Sequence, residues 1–135
     1  MPPRTSRDFQ KAAAQRLTAA EALLREKLNL DAQYLGGYTV ECSLKALILH
    51  KTPCAEKPEK LKLLSSGAKM HRPEVLQDDL KKLGIQLPPK IARRVIRFDW
   101  ATGLRYETGH RDTGETTGFL KTAKIIYDWV EGHLP

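Results

Sequence analysis

The sequence is poor in cysteine, contains no long apolar run and has few aromatic residues. Its two cysteines, Cys42 and Cys54, are too few and too unlike in setting to indicate a disulfide framework. Hydrophobic residues make up 41% and charged residues 29% of the 135, which is typical of a soluble globular protein. The apolar stretch LKALILH is interrupted by Lys45 and His50, and the first ten residues lack the apolar segment of a signal peptide. A cytoplasmic protein with no membrane association is therefore expected.

The residues that could bind a metal or a nucleotide phosphate do not form a known motif. Cys42, Cys54, His50 and His71 occur in an order and at gaps that match no C-x-x-C or H-x-x-x-H pattern. The stretch YLGGYTVEC contains two glycines but lacks the strand, lysine and hydroxyl residue of a P-loop. No metal and no cofactor is therefore expected.

Apolar residues recur at helical spacing almost throughout, and no strand-like alternation of useful length and no internal repeat appears. The pattern predicts an all-α bundle of about five helices in a single domain, residues 1–135. The first and the last predicted helices each have one apolar face. That face consists of Phe9, Ala13, Leu17, Ala20 and Leu24 in the first helix, and of Phe119, Ala123, Ile126 and Val130 in the last.

Capping residues and prolines predict where the helices begin and end. Asp31 is predicted to cap a second helix that runs to about Lys51, and Asp112 with Glu115 has the spacing of a capping box before the last helix. Pro73 suits the first turn of a third helix that Gly84 would end, and Pro88-Pro89 would open a fourth. Residues 52–70 are predicted to form a long connector with one helical turn around 61–64.

Gly36 and Gly37 lie inside the second predicted helix, where each glycine costs roughly 1 kcal/mol relative to alanine. The cost is expected to be offset by close approach of a neighbouring helix or of a bulky ring such as Trp100.

The chain is basic, with a formal net charge of +7, and part of that charge is concentrated on the fourth predicted helix. Ile91, Val95 and Phe98 would form the apolar face of that helix, and the basic residues would form the other. The basic residues are Lys90, Arg93, Arg94 and Arg97. This face is either a solvated surface or a surface that follows a nucleic-acid backbone.

Several segments resemble one known family. YLGGYTVECSLKALI is similar to the second-helix signature of the HEPN family, the higher eukaryotes and prokaryotes nucleotide-binding domain. The segments KMHRPEVLQDDLKKLG, LRYETG and IIYDWV follow in the order expected for such a domain, so the resemblance covers most of the chain.

The resemblance implies a helical bundle that forms a homodimer and acts with RNA or a nucleotide, in a toxin–antitoxin pair or beside a nucleotidyltransferase-type antitoxin. Many members are metal-independent endoribonucleases whose motif is an arginine and a histidine four to six residues apart, a spacing that Arg105 and His110 meet. His110 would transfer protons between the ribose 2′-hydroxyl and the leaving oxygen, since a histidine ordinarily titrates near pH 6.5. Arg105 would hold the phosphate, with Tyr106 and the basic face also binding substrate.

Two interpretations of the chain therefore stand side by side. The domain is an endoribonuclease that uses Arg105 and His110, or it is a non-catalytic module that binds a partner protein or a nucleotide. In the second case RYETGH is an ordinary loop.

Two other polar residues also have open roles. Glu41 is spaced to pair with Lys45 along the second helix, and it could instead orient Arg105 or Tyr106. His71 is either a residue at the edge of the core or a substrate contact.

Overall fold

The computed structural model describes residues 2–66, 70–97 and 106–135, together with the side chains of all of these except 96 and 97. Within those ranges every regular element is helical, which confirms the predicted all-α bundle. The elements are α1 (Ser6–Arg25), α2 (Asn29–Lys51), a 3₁₀ turn (Cys54–Glu56), α3 (Lys57–Ser66), α4 (Pro73–Lys82), α5 (Pro89–Arg97) and α6 (Thr113–Glu131). No described helix combines the length and apolar character needed to cross a bilayer.

α2 is the central helix, and it is buried along most of its length. It contacts α1, α3, α4 and α6, so the other helices form a shell around it. Its residues Leu44, Leu47 and Ile48 have no exposed surface, and they belong to one continuous apolar cluster with residues of α4, α5 and α6. Because apolar burial is the largest favourable contribution to folding, α2 determines where the outer helices pack.

Gly36 provides the close helix approach that the glycine pair predicted. A Cβ atom built on Gly36 would lie 2.5 Å from Leu120 Cδ2 and 3.4 Å from Phe119 Cε1, both on α6. Leu120 is itself buried, so its side chain has little space into which to move. The neighbour that requires glycine here is therefore α6. Trp100, which was also proposed for this role, lies outside the described residues.

The start of α2 differs from the prediction. Asp31 does not cap the helix, because α2 begins at Asn29, and Asp31 lies in its first turn. The reversal from α1 is tight: Lys27 has φ +60° and the Leu28 amide donates to the Leu23 carbonyl at 2.9 Å. The helix therefore restarts three residues earlier than a cap at Asp31 would place it.

The predicted connector is also largely helical. The 3₁₀ turn and α3 occupy thirteen of its residues, where a single helical turn was predicted. α3 is held by tertiary contacts: Leu64 is 1% exposed in the core, and Lys60 forms a salt bridge at 3.0 Å with Asp79 of α4. A short helix stabilised mainly by such contacts gives only a weak local signal.

The remaining predicted boundaries are confirmed. Pro73 opens α4, and Gly84 follows it with φ +81°, a left-handed conformation that favours glycine. The Ile85 amide donates to the Leu80 carbonyl at 3.0 Å and closes that helix end. Asp112 is the N-cap of α6, and its carboxylate accepts the Glu115 amide at 2.8 Å.

Candidate functional site

α5 places its apolar residues inward and its basic residues outward. Ile91 and Val95 are 7% and 1% exposed in the core, whereas Lys90 and Arg93 are exposed. Arg94 is half-buried because its guanidinium turns toward α6, where Nη1 donates to Thr122 Oγ1 at 3.2 Å. Arg97 is the last residue of the helix, and its side chain is outside the described set. The predicted basic face is therefore present at Lys90, Arg93 and Arg94, the three positions whose side chains are described.

The positive charge of this face has no salt-bridge partner among the described residues. The sequence of α5, PKIARRVIR, contains no acidic residue. Among the residues that the structure describes, Lys90, Arg93 and Arg94 form no salt bridge. A polyanion that binds here would therefore displace no carboxylate of the described residues.

His110 lies in an exposed loop between α5 and α6. Residues 106–110 are all exposed, and Tyr106 is 81% exposed. Gly109 has φ +102°, a left-handed conformation that lets the chain turn immediately before His110. Arg105 lies outside the described residues, so the predicted pairing of Arg105 with His110 stays a prediction.

The chain immediately after His110 is firmly attached to the bundle. The buried side chain of Asn29, at the start of α2, donates to the Arg111 carbonyl at 2.8 Å and to Thr113 Oγ1 at 3.0 Å. The Arg111 guanidinium forms salt bridges with Glu107 on one side and Glu115 on the other. His110 is therefore an exposed imidazole next to a fixed backbone position.

Glu41 is buried in α2 and is the centre of a polar cluster. Its carboxylate accepts from Lys45 Nζ at 2.9 Å, which confirms the predicted i, i+4 pair, and lies 3.2 Å from His71 Nδ1. Lys45 Nζ also donates to the Leu64 carbonyl at 2.8 Å. The cluster therefore joins α2 to α3 and to the segment before α4.

Sequence reasoning did not find His71 as a partner of Glu41. The two residues are thirty positions apart, and no local periodicity links them. The His71 side chain is 42% exposed and that of Glu41 only 6%, so the imidazole lies between the buried carboxylate and solvent. This geometry agrees with the prediction that His71 is at the edge of the core. A role for Glu41 toward Arg105 or Tyr106 stays a prediction.

The two cysteines are expected to react with thiol reagents at very different rates. Burial raises the pKa of the Cys42 thiol to about 11, and the neighbouring Glu41 charge raises it too, whereas Cys54 is exposed. Because each pKa unit changes the thiolate fraction tenfold, Cys42 should react about a hundredfold more slowly than a thiol with its ordinary pKa of 9.0. Alkylation with iodoacetamide at pH 7.5, followed by peptide mass spectrometry, measures both rates. Equal rates would contradict the burial of Cys42, and Cys54→Ser should remove the fast phase.

Several aromatic residues of α2 and α6 pack against the core of the bundle. Tyr34 and Tyr38 of α2 lie edge to face with ring centroids 5.2 Å apart, and their hydroxyls are 3.1 Å apart. Phe119 and Trp129 of α6 are partly buried against the core. These four rings therefore contribute to the packing of α2 and α6 in the bundle.

Within residues 2–66, 70–97 and 106–135, no group of three or more His, Cys, Asp or Glu side chains is arranged to hold a metal ion. Comparison with protein-family models, curated proteins and solved structures gives no match to this chain.

Proposed function

We propose that this protein is an HEPN-like domain that acts on RNA as a metal-independent endoribonuclease. In this proposal α5 binds the RNA backbone, and Arg105 with His110 carries out cleavage. The observation that supports it best is the α5 face, where Lys90 and Arg93 are exposed and form no salt bridge with a described carboxylate, above a buried apolar side.

The arrangement of α5 suits a phosphate backbone better than a single small anion. Residues three apart on a helix have Cβ atoms about 5–6 Å from each other, so Lys90 and Arg93 project from one strip of surface. Arg94 is held beside that strip by Thr122, which fixes its guanidinium before any ligand arrives. Neutralising several phosphates releases their counterions, and this gives binding without a requirement for sequence.

The chemistry assigned to the loop follows from the two side chains. His110 would accept the proton of a ribose 2′-hydroxyl as that oxygen attacks phosphorus, and an imidazolium would donate a proton to the departing 5′-oxygen. The products would be a 2′,3′-cyclic phosphate and a 5′-hydroxyl. Arg105 would stabilise the charge on the phosphoryl oxygens through its planar set of donors. The homodimer and the antitoxin partner implied by the HEPN resemblance are part of the same proposal.

Removing the two exposed charges of α5 should weaken RNA binding and reduce its salt dependence. For Lys90→Gln/Arg93→Gln we expect the slope of log K against log salt concentration to fall by about 1.4, since each contact with single-stranded RNA contributes about 0.7. Fluorescence anisotropy of a labelled 20-nucleotide RNA between 50 and 200 mM salt measures this slope. A smaller slope in the variant is the result expected for lost phosphate contacts.

The control is Lys11→Gln/Arg16→Gln, which removes one lysine and one arginine from exposed positions of α1. An equal loss of slope in the control would show that binding depends only on net charge. In that case, or if the wild type does not bind RNA, α5 is not the RNA-binding surface.

A further inference from the structure

A cavity of about 560 Å³ lies between the start of α1, the end of α2 and the start of α3. Its apolar lining includes Leu49, Pro58, Leu61 and Leu134. The volume is within the range of about 300–1,000 Å³ that is typical of small-molecule sites. Its walls can therefore enclose a small apolar group.

The cavity is distinct from the proposed ribonuclease site. Arg7, at the cavity, forms a salt bridge with Glu131, the last residue of α6. His110 precedes the first residue of α6 by three positions. Because α6 has 19 residues, its two ends are roughly 27 Å apart. A ligand in the cavity would not contact the His110 loop.

The polar lining of the cavity is cationic. Arg4, Arg7 and Lys57 supply this charge, His50 adds an imidazole, and no Asp or Glu lines the cavity. Arg7 is already engaged, since its guanidinium donates to Glu131 Oε1 and to the Pro135 carbonyl, both at 2.6 Å. Arg4 and Lys57 form no salt bridge with any residue in the described part of the chain. These two charges are therefore free to meet an anionic group.

His50 contributes to the cavity wall as an imidazole rather than as a fixed cation. Burial lowers the pKa of His50, and the charges of Lys51 and Lys57 lower it further. The N-terminal end of α1 is capped by its own residues, since the amide of Asp8 donates to the Thr5 hydroxyl at 3.1 Å in a capping box. Recognition of an anion would depend on the side chains of Arg4 and Lys57.

We propose that this cavity binds a small amphipathic organic anion, with its apolar body between Leu49, Pro58 and Leu61 and its carboxylate or phosphate head against Arg4 and Lys57. Apolar walls would supply most of the affinity, and the two cations would select the sign of the charge and fix the orientation. The proposal concerns a second ligand, and it holds whether or not the His110 loop cleaves RNA.

The exposed thiol of Cys54 lines the cavity and reports its occupancy. Decanoate is the probe, because it joins a nine-carbon alkyl chain to a carboxylate. Nonyltrimethylammonium, which has the same alkyl chain and the opposite charge, is the matched control. We expect saturating decanoate to slow alkylation of Cys54 by iodoacetamide at least fivefold, with no effect of the cation at the same concentration below micelle formation.

Charge reversal at the cavity tests which side chains hold the head group. Lys57→Glu and Arg4→Glu should each weaken decanoate binding about tenfold in isothermal titration calorimetry. Lys62→Glu makes the same change at an exposed position of α3 that does not line the cavity, and should leave binding unchanged. Cys54→Trp should abolish binding by filling the cavity from an exposed position, while the circular dichroism spectrum stays that of the wild type.

Four results would overturn the proposal. Equal protection of Cys54 by the cation would show a generally apolar surface. An equal loss of affinity in Lys62→Glu would show an effect of net charge alone. Absence of decanoate binding would exclude small amphipathic anions as ligands of the cavity. Protection of Cys54 that rises with protein concentration, without any probe, would show that a second copy of the chain covers the cavity.

Discussion

Replacing Lys45 with methionine is expected to lower the free energy of unfolding by about 3–5 kcal/mol. The ammonium group of Lys45 is the partner of the buried Glu41 carboxylate at 2.9 Å and also binds the Leu64 carbonyl at 2.8 Å. Its removal leaves the buried Glu41 carboxylate with His71 as its remaining ion-pair partner among the described residues, and it removes the bond to the Leu64 carbonyl of α3. Urea denaturation followed by circular dichroism measures the loss.

The control for this prediction is Lys51→Met, which makes the same change at an exposed position of α2 and should shift stability by less than about 0.5 kcal/mol. Glu41→Gln/Lys45→Met should recover part of the loss, because it also removes the buried negative charge. If Lys45→Met does not fold, the stability of the double variant still tests the prediction. A Lys45→Met protein as stable as the wild type would contradict the buried pair.

Replacing His110 with alanine is expected to reduce RNA cleavage by 10²–10⁴-fold, the typical contribution of a positioned general acid or base. RNA binding should persist, since Lys90 and Arg93 are unchanged. His110 is exposed, and α6 keeps its Asp112 cap, so the fold should also persist. The measurement is cleavage of a mixed RNA pool in the presence of EDTA at equal concentrations of folded protein.

The matched control is His133→Ala, which removes another exposed histidine, near the end of α6. Arg105→Ala should behave like His110→Ala. Cleavage that persists in the His110 variant would place the activity elsewhere or in a contaminant. Binding without cleavage by the wild type would favour the non-catalytic module that the sequence also allows.

The elements that sequence predicted well are those with a strong local signal. The apolar face from Phe9 to Leu24, the proline that opens α4 and the Asp112 cap of α6 each depend on residues within one or two turns. α3 was underestimated because its stability depends on Leu64 in the core and on Lys60 bound to Asp79, nineteen residues away. Such contacts leave little trace in a local pattern.

The features of the candidate site also differ in whether local sequence could predict them. The outward basic face of α5 follows from helical periodicity, and the Glu41–Lys45 pair follows from i, i+4 spacing. By contrast, His71 at Glu41 and the cavity near Cys54 bring together segments that are far apart in the chain. No spacing rule could predict them, because they exist only after the helices have packed.

The amide of Asn29 has a consequence for how a substrate meets His110. It donates to the Arg111 carbonyl at 2.8 Å. Because consecutive Cα atoms are only about 3.8 Å apart, this bond also restricts the movement of the His110 backbone. The imidazole can swing through the side-chain torsions but cannot travel to a distant phosphate. In the proposed ribonuclease the RNA strand would therefore have to come to the loop, along a path set by the helices on either side.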